Sequence, residues 1–195
     1  MSPILESIGS VKGFGWGALL SSTSYESIAT TTVGATAVSS ISFTSIPATF
    51  THLQLRSIVR GSKVAAYSDF QNASFNSDTT YTNYVTHYTH GDGANTGSTQ
   101  HTQAAGTYAC LSEQANNSIA ANVFAFSIAD ILDYANTSKY KTIRRLGGWD
   151  GNGSGESYFT SSLWMSTSAI NSITITPPSG TILQYSSFAL YGIKG

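Results

Sequence analysis

The sequence predicts an all-β fold: one β-sandwich of about ten strands preceded by an extended N-terminal arm. Three observations predict it. Short runs of β-branched and aromatic residues alternate with Ser, Thr and Asn. Turn signals punctuate them at close intervals. No stretch carries a convincing amphipathic helical period. The 195 residues suffice for one sizeable core. Charged residues make up 10% of the chain, against roughly 25% in an average soluble domain, while 41% of it is hydrophobic and 12% aromatic. That many aromatics can bury much apolar surface, so low charge does not mean disorder here. It means a surface that is polar without being charged, and such a surface tolerates broad contacts with neighbours.

The closing stretch, Ser157 to Ile193, is the clearest. Ile170, Ile173 and Ile175, then Phe188, Leu190 and Ile193, supply large apolar groups on either side of the turn Pro177-Pro178-Ser179-Gly180. A terminal run such as Ala189-Leu190-Tyr191-Gly192-Ile193 must be tied into a sheet to avoid fraying.

Residues 1–24 form the arm and 25–195 the sandwich. In the arm, Lys12-Gly13-Phe14-Gly15-Trp16-Gly17 alternates glycine with aromatic groups. Such an arm either packs along its own domain or docks on another subunit, with Phe14 and Trp16 as anchors. From Tyr25 the chain is regular. Strands are expected at Ser27–Val33 and Val38–Phe43, which read as a hairpin turning at Gly34, and at His52–Val59, Lys63–Phe70, Tyr81–Tyr88, Gly106–Leu111 and Asn122–Ile128. A further pair, Ala129–Tyr134 and Tyr140–Leu146, is joined by the turn Asn136-Thr137-Ser138. Tyr81, Tyr84, Val85 and Tyr88 also fit a helical period, which leaves a short helix as the alternative there. Two Gly-rich stretches read as loops: His90–Ser98, within an excursion to about Ala105, and Gly147–Gly155, which sets Trp149 among small residues. Each either presents a partner surface, Trp149 foremost, or is a plain solvated connector.

The chemistry-bearing patterns are weak. Asp150, Asn152 and Ser154 begin a calcium loop, but Ser161 stands where the bidentate acid belongs, so an Asx-type turn is the better reading. His87 and His90, near Asp92 and His101, would point to opposite faces of a strand and not converge on a metal. No Gly-x-Ser-x-Gly elbow and no phosphate loop is present. Asp130 and Asp133 lie too close along one strand to flank a glycosidic bond. They face the basic run Lys139, Lys141, Arg144 and Arg145 across the expected hairpin, so cross-strand ion pairs account for that run. Cys110, the single cysteine, sits in an apolar strand pattern and reads as core. No catalytic residue, metal ligand or cofactor site is expected, and the chain does not read as an enzyme. The net charge of −1 gives no reason to expect nucleic acid or an anionic membrane as partner. The N-terminus lacks the pattern of a secretory signal, and no window is apolar enough to cross a bilayer, so synthesis in a cytoplasm is expected.

Several stretches together resemble the small β-sandwich structural proteins of tailed bacteriophages, cyanophage-like ones included. They are residues 25–34, 43–55, 133–142, 169–174 and 188–193, the last reading Phe-Ala-Leu-Tyr-Gly-Ile. The resemblance implies a jelly-roll-like sandwich, homotrimeric assembly, location in the virion and no catalytic residues. It implies a capsid decoration or cement protein bound to copies of itself and to the major capsid protein or other virion proteins. The alternative is a tail-fibre or tailspike module that grips host glycan with tyrosines and Trp149.

Overall fold

The computed structural model describes residues 24–64, 66–102 and 108–194. Phe14 and Trp16, and with them the expected arm, lie outside the described residues. Twelve strands are described: β1 Tyr25–Thr32, β2 Ile41–Phe43, β3 His52–Val59, β4 Ser68–Phe75, β5 Tyr84–Gly91, β6 Thr96–Thr102, β7 Ala109–Ala115, β8 Ala125–Leu132, β9 Lys141–Asp150, β10 Gly155–Trp164, β11 Ile173–Thr176 and β12 Ser187–Ile193. They form two sheets packed as a β-sandwich. One has eight strands in the order β1-β12-β3-β8-β9-β10-β5-β6; the other has four, β2-β11-β4-β7. Every ladder is antiparallel.

Alternation of side chains decides which face is core. Leu53, Leu55, Ile131, Ile143, Phe188 and Leu190 of the large sheet meet Ile41, Phe43, Phe75, Leu111, Ile173 and Ile175 of the small one, all buried in one cluster. The C-terminal strand β12 is hydrogen-bonded on both sides, to β1 and β3, so the chain's last strand is locked inside a sheet. Tyr134 pins the β8–β9 turn to the core by donating its hydroxyl to the Pro47 carbonyl.

The structure separates the expected first hairpin, since β1 pairs with β12 in one sheet and β2 with β11 in the other, and it moves several expected boundaries. The strand expected at 63–70 runs instead over Ser68–Phe75, because those residues find partners in β7 and β11, while Val64 and Tyr67 remain exposed. The strand expected at 106–111 is β7, Ala109–Ala115. The runs expected as 122–128 and 129–134 are the one strand β8, since no turn interrupts the alternation. The helical alternative near Tyr81 shrinks to a single 3-10 turn, Tyr81–Asn83, before β5 begins. Residues 90–98 are not a long loop. Asp92 to Asn95 turn the chain tightly, the Asp92 N–H donating to the Asn95 carbonyl at 3.1 Å, and β6 pairs back along β5. Likewise 147–155 is mostly strand. Asn152 (φ 57°) and Gly153 (φ 98°) form a two-residue hairpin turn closed by Gly151 N–H donating to the Ser154 carbonyl at 2.7 Å.

The interior also holds a polar layer beneath β7, which is buried along its whole length. The Arg145 guanidinium meets the Glu113 carboxylate at 3.1 Å and donates to the Ser127 and Thr160 hydroxyls, with both charged side chains fully buried. It also lies over the Phe70 ring at 4.6 Å. The expected cross-strand ion pairs therefore hold only in part. Lys139 pairs with Asp133, whereas Arg145 turns inward to Glu113. Arg144 donates to the Ser161 hydroxyl, and Lys141 is buried with its ammonium on three carbonyls. The two arginines part because neighbouring residues of a strand face opposite sides.

Candidate functional site

The residues with unused binding capacity lie on the outer face of the eight-stranded sheet. In β8 the usual amphipathic pattern is inverted. Small Ala125, Ser127 and Ala129 point inward, and large Phe126 and Ile128 point out. In β9 Leu146 faces out between inward Arg145 and Gly147, and in β10 Phe159 faces out between Tyr158 and Thr160. The register joins these residues. Arg56 pairs with Ile128, Ile128 with Leu146, and Leu146 with Phe159, while Ile58 pairs with Phe126 one row away. Ile58, Phe126, Ile128, Leu146 and Phe159 are 40 to 54% exposed. Scattered exposed apolar residues need no explanation, but five in register across four strands make a contiguous stripe, the kind of patch that marks an interaction site.

The stripe's surroundings are polar and electrostatically quiet. In the adjoining row Gln54 donates to Asp130 at 2.8 Å and accepts from Arg56 at 2.8 Å. The Arg56 guanidinium lies over the rings of Tyr191 at 5.2 Å and Tyr25 at 5.8 Å. These charges are therefore engaged within the sheet. Two shallow depressions flank Phe159. One, of about 480 Å³, is lined by His87, Thr89, Ser98, Gln100 and Ser161. The other runs along Gly91, Thr96, Gly97 and Ser157 toward Leu146.

The residues singled out in the sequence fall elsewhere. Trp149 lies in β9, is 5% exposed and packs inward beside Ala115 and Ala125, with the Tyr67 ring 6.0 Å away. Its ring is a packing group and not a surface platform. His87 points out and bonds to Gln100 at 3.0 Å, while His90 and His101 lie against the Tyr88 ring on the other face. Among the described residues no three His, Cys, Asp or Glu side chains gather as a metal would need. Asp150 accepts from Asn152 N–H at 3.4 Å in the hairpin turn already described, an Asx arrangement. Asp130 serves Gln54, the Asp133 carboxylate serves Lys139, and the Asp133 backbone N–H donates to His52 Nδ1 at 2.9 Å. Cys110 is buried in the polar layer, and desolvation pushes its thiol up to about 11, so it stays protonated and inert at neutral pH.

Sequence reasoning passed over the stripe, although β8 carried its signal. A strand with small residues on one alternate set and Phe and Ile on the other has two apolar faces, and only one can be core. No family model, no curated protein and no solved structure matches this chain.

Proposed function

We propose that the protein is a bacteriophage virion structural protein, a decoration protein that adheres to the capsid shell and to copies of itself through the outer face of its larger sheet. The observation that carries this reading is the in-register stripe of Ile58, Phe126, Ile128, Leu146 and Phe159 on a face whose charges are already engaged. A face of that kind binds by burying apolar area and by shape, which suits a lattice of like subunits. The low charge of the chain and the stretches that resemble phage structural proteins support the same reading. It requires no turnover of any substrate. Gold-labelled antibody against the purified chain, applied to phage particles that encode it, should decorate the heads. Label confined to tails, or none on intact particles, would remove the reading.

A second reading is favoured by the depression beside Phe159, where an exposed ring stands next to His87, Ser98, Gln100 and Ser161. A ring beside amide and hydroxyl groups is how sugars are gripped, so this face would serve a tail-borne glycan-binding module. Saturable binding on a glycan array that disappears in Phe159→Ala would favour it over decoration.

A further inference from the structure

We propose that β6 is a self-association edge: two copies of the chain pair their β6 strands antiparallel about a twofold axis, joining their eight-stranded sheets into one. The inference does not rest on the adhesive reading of the stripe, since it uses the rim of that sheet and not its face.

The first support is how the sheet edges are finished. Four strands end a sheet, β1 and β6 in the large one, β2 and β7 in the small one. An open edge invites pairing, and proteins blunt it with charge, proline, a bulge, shortness or a cover. β1 carries Glu26 and a register shift between Ser27 and Ala29. β2 has three residues. β7 is buried along its length, and the Gly61 N–H donates to its Ala115 carbonyl at 2.8 Å. β6 has none of these devices. Its seven residues, Thr96-Gly97-Ser98-Thr99-Gln100-His101-Thr102, include no proline and no Asp, Glu, Lys or Arg, and they pair with β5 without a bulge. Thr96 and Ser98 to His101 are exposed, and among the described residues nothing pairs with the far side of the strand.

The second support is the direction of the backbone groups. In the β5–β6 turn the Asp92 N–H donates to the Asn95 carbonyl, so the groups of that pair face each other between the strands. Bonded and non-bonded pairs alternate along an antiparallel ladder. His90–Gly97, Tyr88–Thr99 and Thr86–His101 are therefore bonded pairs, and Thr96, Ser98, Gln100 and Thr102 turn their N–H and C=O to the open side. A second β6 centred on Thr99 meets them in phase. Ser98 then stands opposite Gln100 of the second copy in a bonded pair, and the two Thr99 residues meet at the axis in a non-bonded one.

The third support is side-chain fit. The same register sets Gly97 opposite His101 of the second copy. The His90 ring leaves no room for a side chain at 97, since a Cβ there would stand 2.6 Å from it. The His101 imidazole thus meets a bare glycine and not a second bulky group. Ser98 and Gln100 across the ladder are a donor–acceptor pair, and cross-strand Thr–Thr contacts are favourable. A β6-to-β1 contact between copies would instead be head-to-tail and would meet Glu26 and the bulge.

Sedimentation velocity on the full chain, from about 1 mM down to about 1 μM, should show a monomer–dimer equilibrium. Ser98→Pro removes one outward N–H per copy while keeping the bonds to β5, and should weaken the dimer at least about tenfold. Thr99→Lys and Thr99→Glu each set like charges opposite one another at the axis; each alone should weaken the dimer about fivefold or more, and their mixture should restore it as a heterodimer. Thermal unfolding of the dilute variants checks that the hairpin survives, and the charge pair decides if the proline disturbs it. Thr99→Cys places two thiols across the axis at a Cα separation of ~4.5 Å, within disulfide range, while Gln100→Cys places them roughly 8 Å apart. Under mild oxidation Thr99→Cys should therefore form covalent dimers at least about tenfold faster than Gln100→Cys. A monomer at every concentration, a trimer, a dimer indifferent to the Thr99 charges, or equal cross-linking at the two positions would overturn the proposal. Phe159→Ser should leave this dimer intact. Lost shell binding with an unchanged dimer, or the reverse, therefore tells the failure of one reading from that of the other.

Discussion

Replacing Phe159 by Ser separates the role of the stripe in binding from its role in folding. The ring is 53% exposed in the folded chain, so about half of its surface is still available to a partner. An aromatic side chain offers roughly 200 Å², and the outstanding half, about 100 Å², is worth about 2.5 kcal/mol at about 25 cal/mol per Å². That corresponds to a roughly 60-fold loss of affinity, at about 1.4 kcal/mol per tenfold. The fold should feel far less, because the residue is not part of the core cluster and its backbone stays paired to both β5 and β9. Stability should change by about 1 kcal/mol or less. The assay is cosedimentation of the purified chain with phage heads stripped of it, with thermal unfolding as the control. Binding within about threefold of wild type at unchanged stability would refute the reasoning, since an adhesive face cannot ignore half an aromatic ring within its apolar stripe.

Three further outcomes follow from the interior and the turns. Arg145→Ala should destabilise by about 3–5 kcal/mol by denaturant titration, because it strands the fully buried Glu113 carboxylate; burial already raises the pKa of that carboxyl, with Arg145 opposing the rise. Gly192→Ala should cost about 1–3 kcal/mol, since a Cβ there would come within 2.3 Å of the Phe50 ring in a closed core. Asp92 is held at about 2, below the ordinary carboxylate value, chiefly by the Asn95 and Ala94 backbone N–H groups and the Asn95 side chain. A depressed carboxylate stabilises the fold above its unfolded pKa and loses that contribution as pH falls. The stability gap between wild type and Asp92→Ala should therefore narrow between about pH 4 and pH 2, a window NMR titration of the β5–β6 turn can follow.

The two-sheet architecture was legible because it depends on alternation and turns, which are local. Ile173 with Ile175, and Phe188 with Leu190, read as strands at once and proved to be core. Boundaries were less legible where pairing decides them. Nothing local tells residues 68–75 that β7 and β11 await them while Val64 joins neither ladder. Glycine was overread: Gly147 and Gly148 suggested a loop, but a strand tolerates them where Arg145 and the β10 backbone approach closely. That misreading put Trp149 on the surface when its strand register points it inward. The stripe was hidden for the opposite reason. Phe126, Ile128, Leu146 and Phe159 each look like core residues, and only the packing of small Ala125, Ser127 and Ala129 inside shows that they are left over. The Glu113–Arg145 pair joins strands 32 residues apart in sequence and left no local trace.

The most direct measurement is an image reconstruction of the virion in which this chain can be placed. Adhesion to the head predicts density for the two-sheet sandwich on the outer capsid surface, with the β3–β8–β9–β10 face turned toward the shell or a neighbouring copy. Sandwich density found only at a tail tip, or a head-bound copy whose stripe faces open solvent, would contradict it.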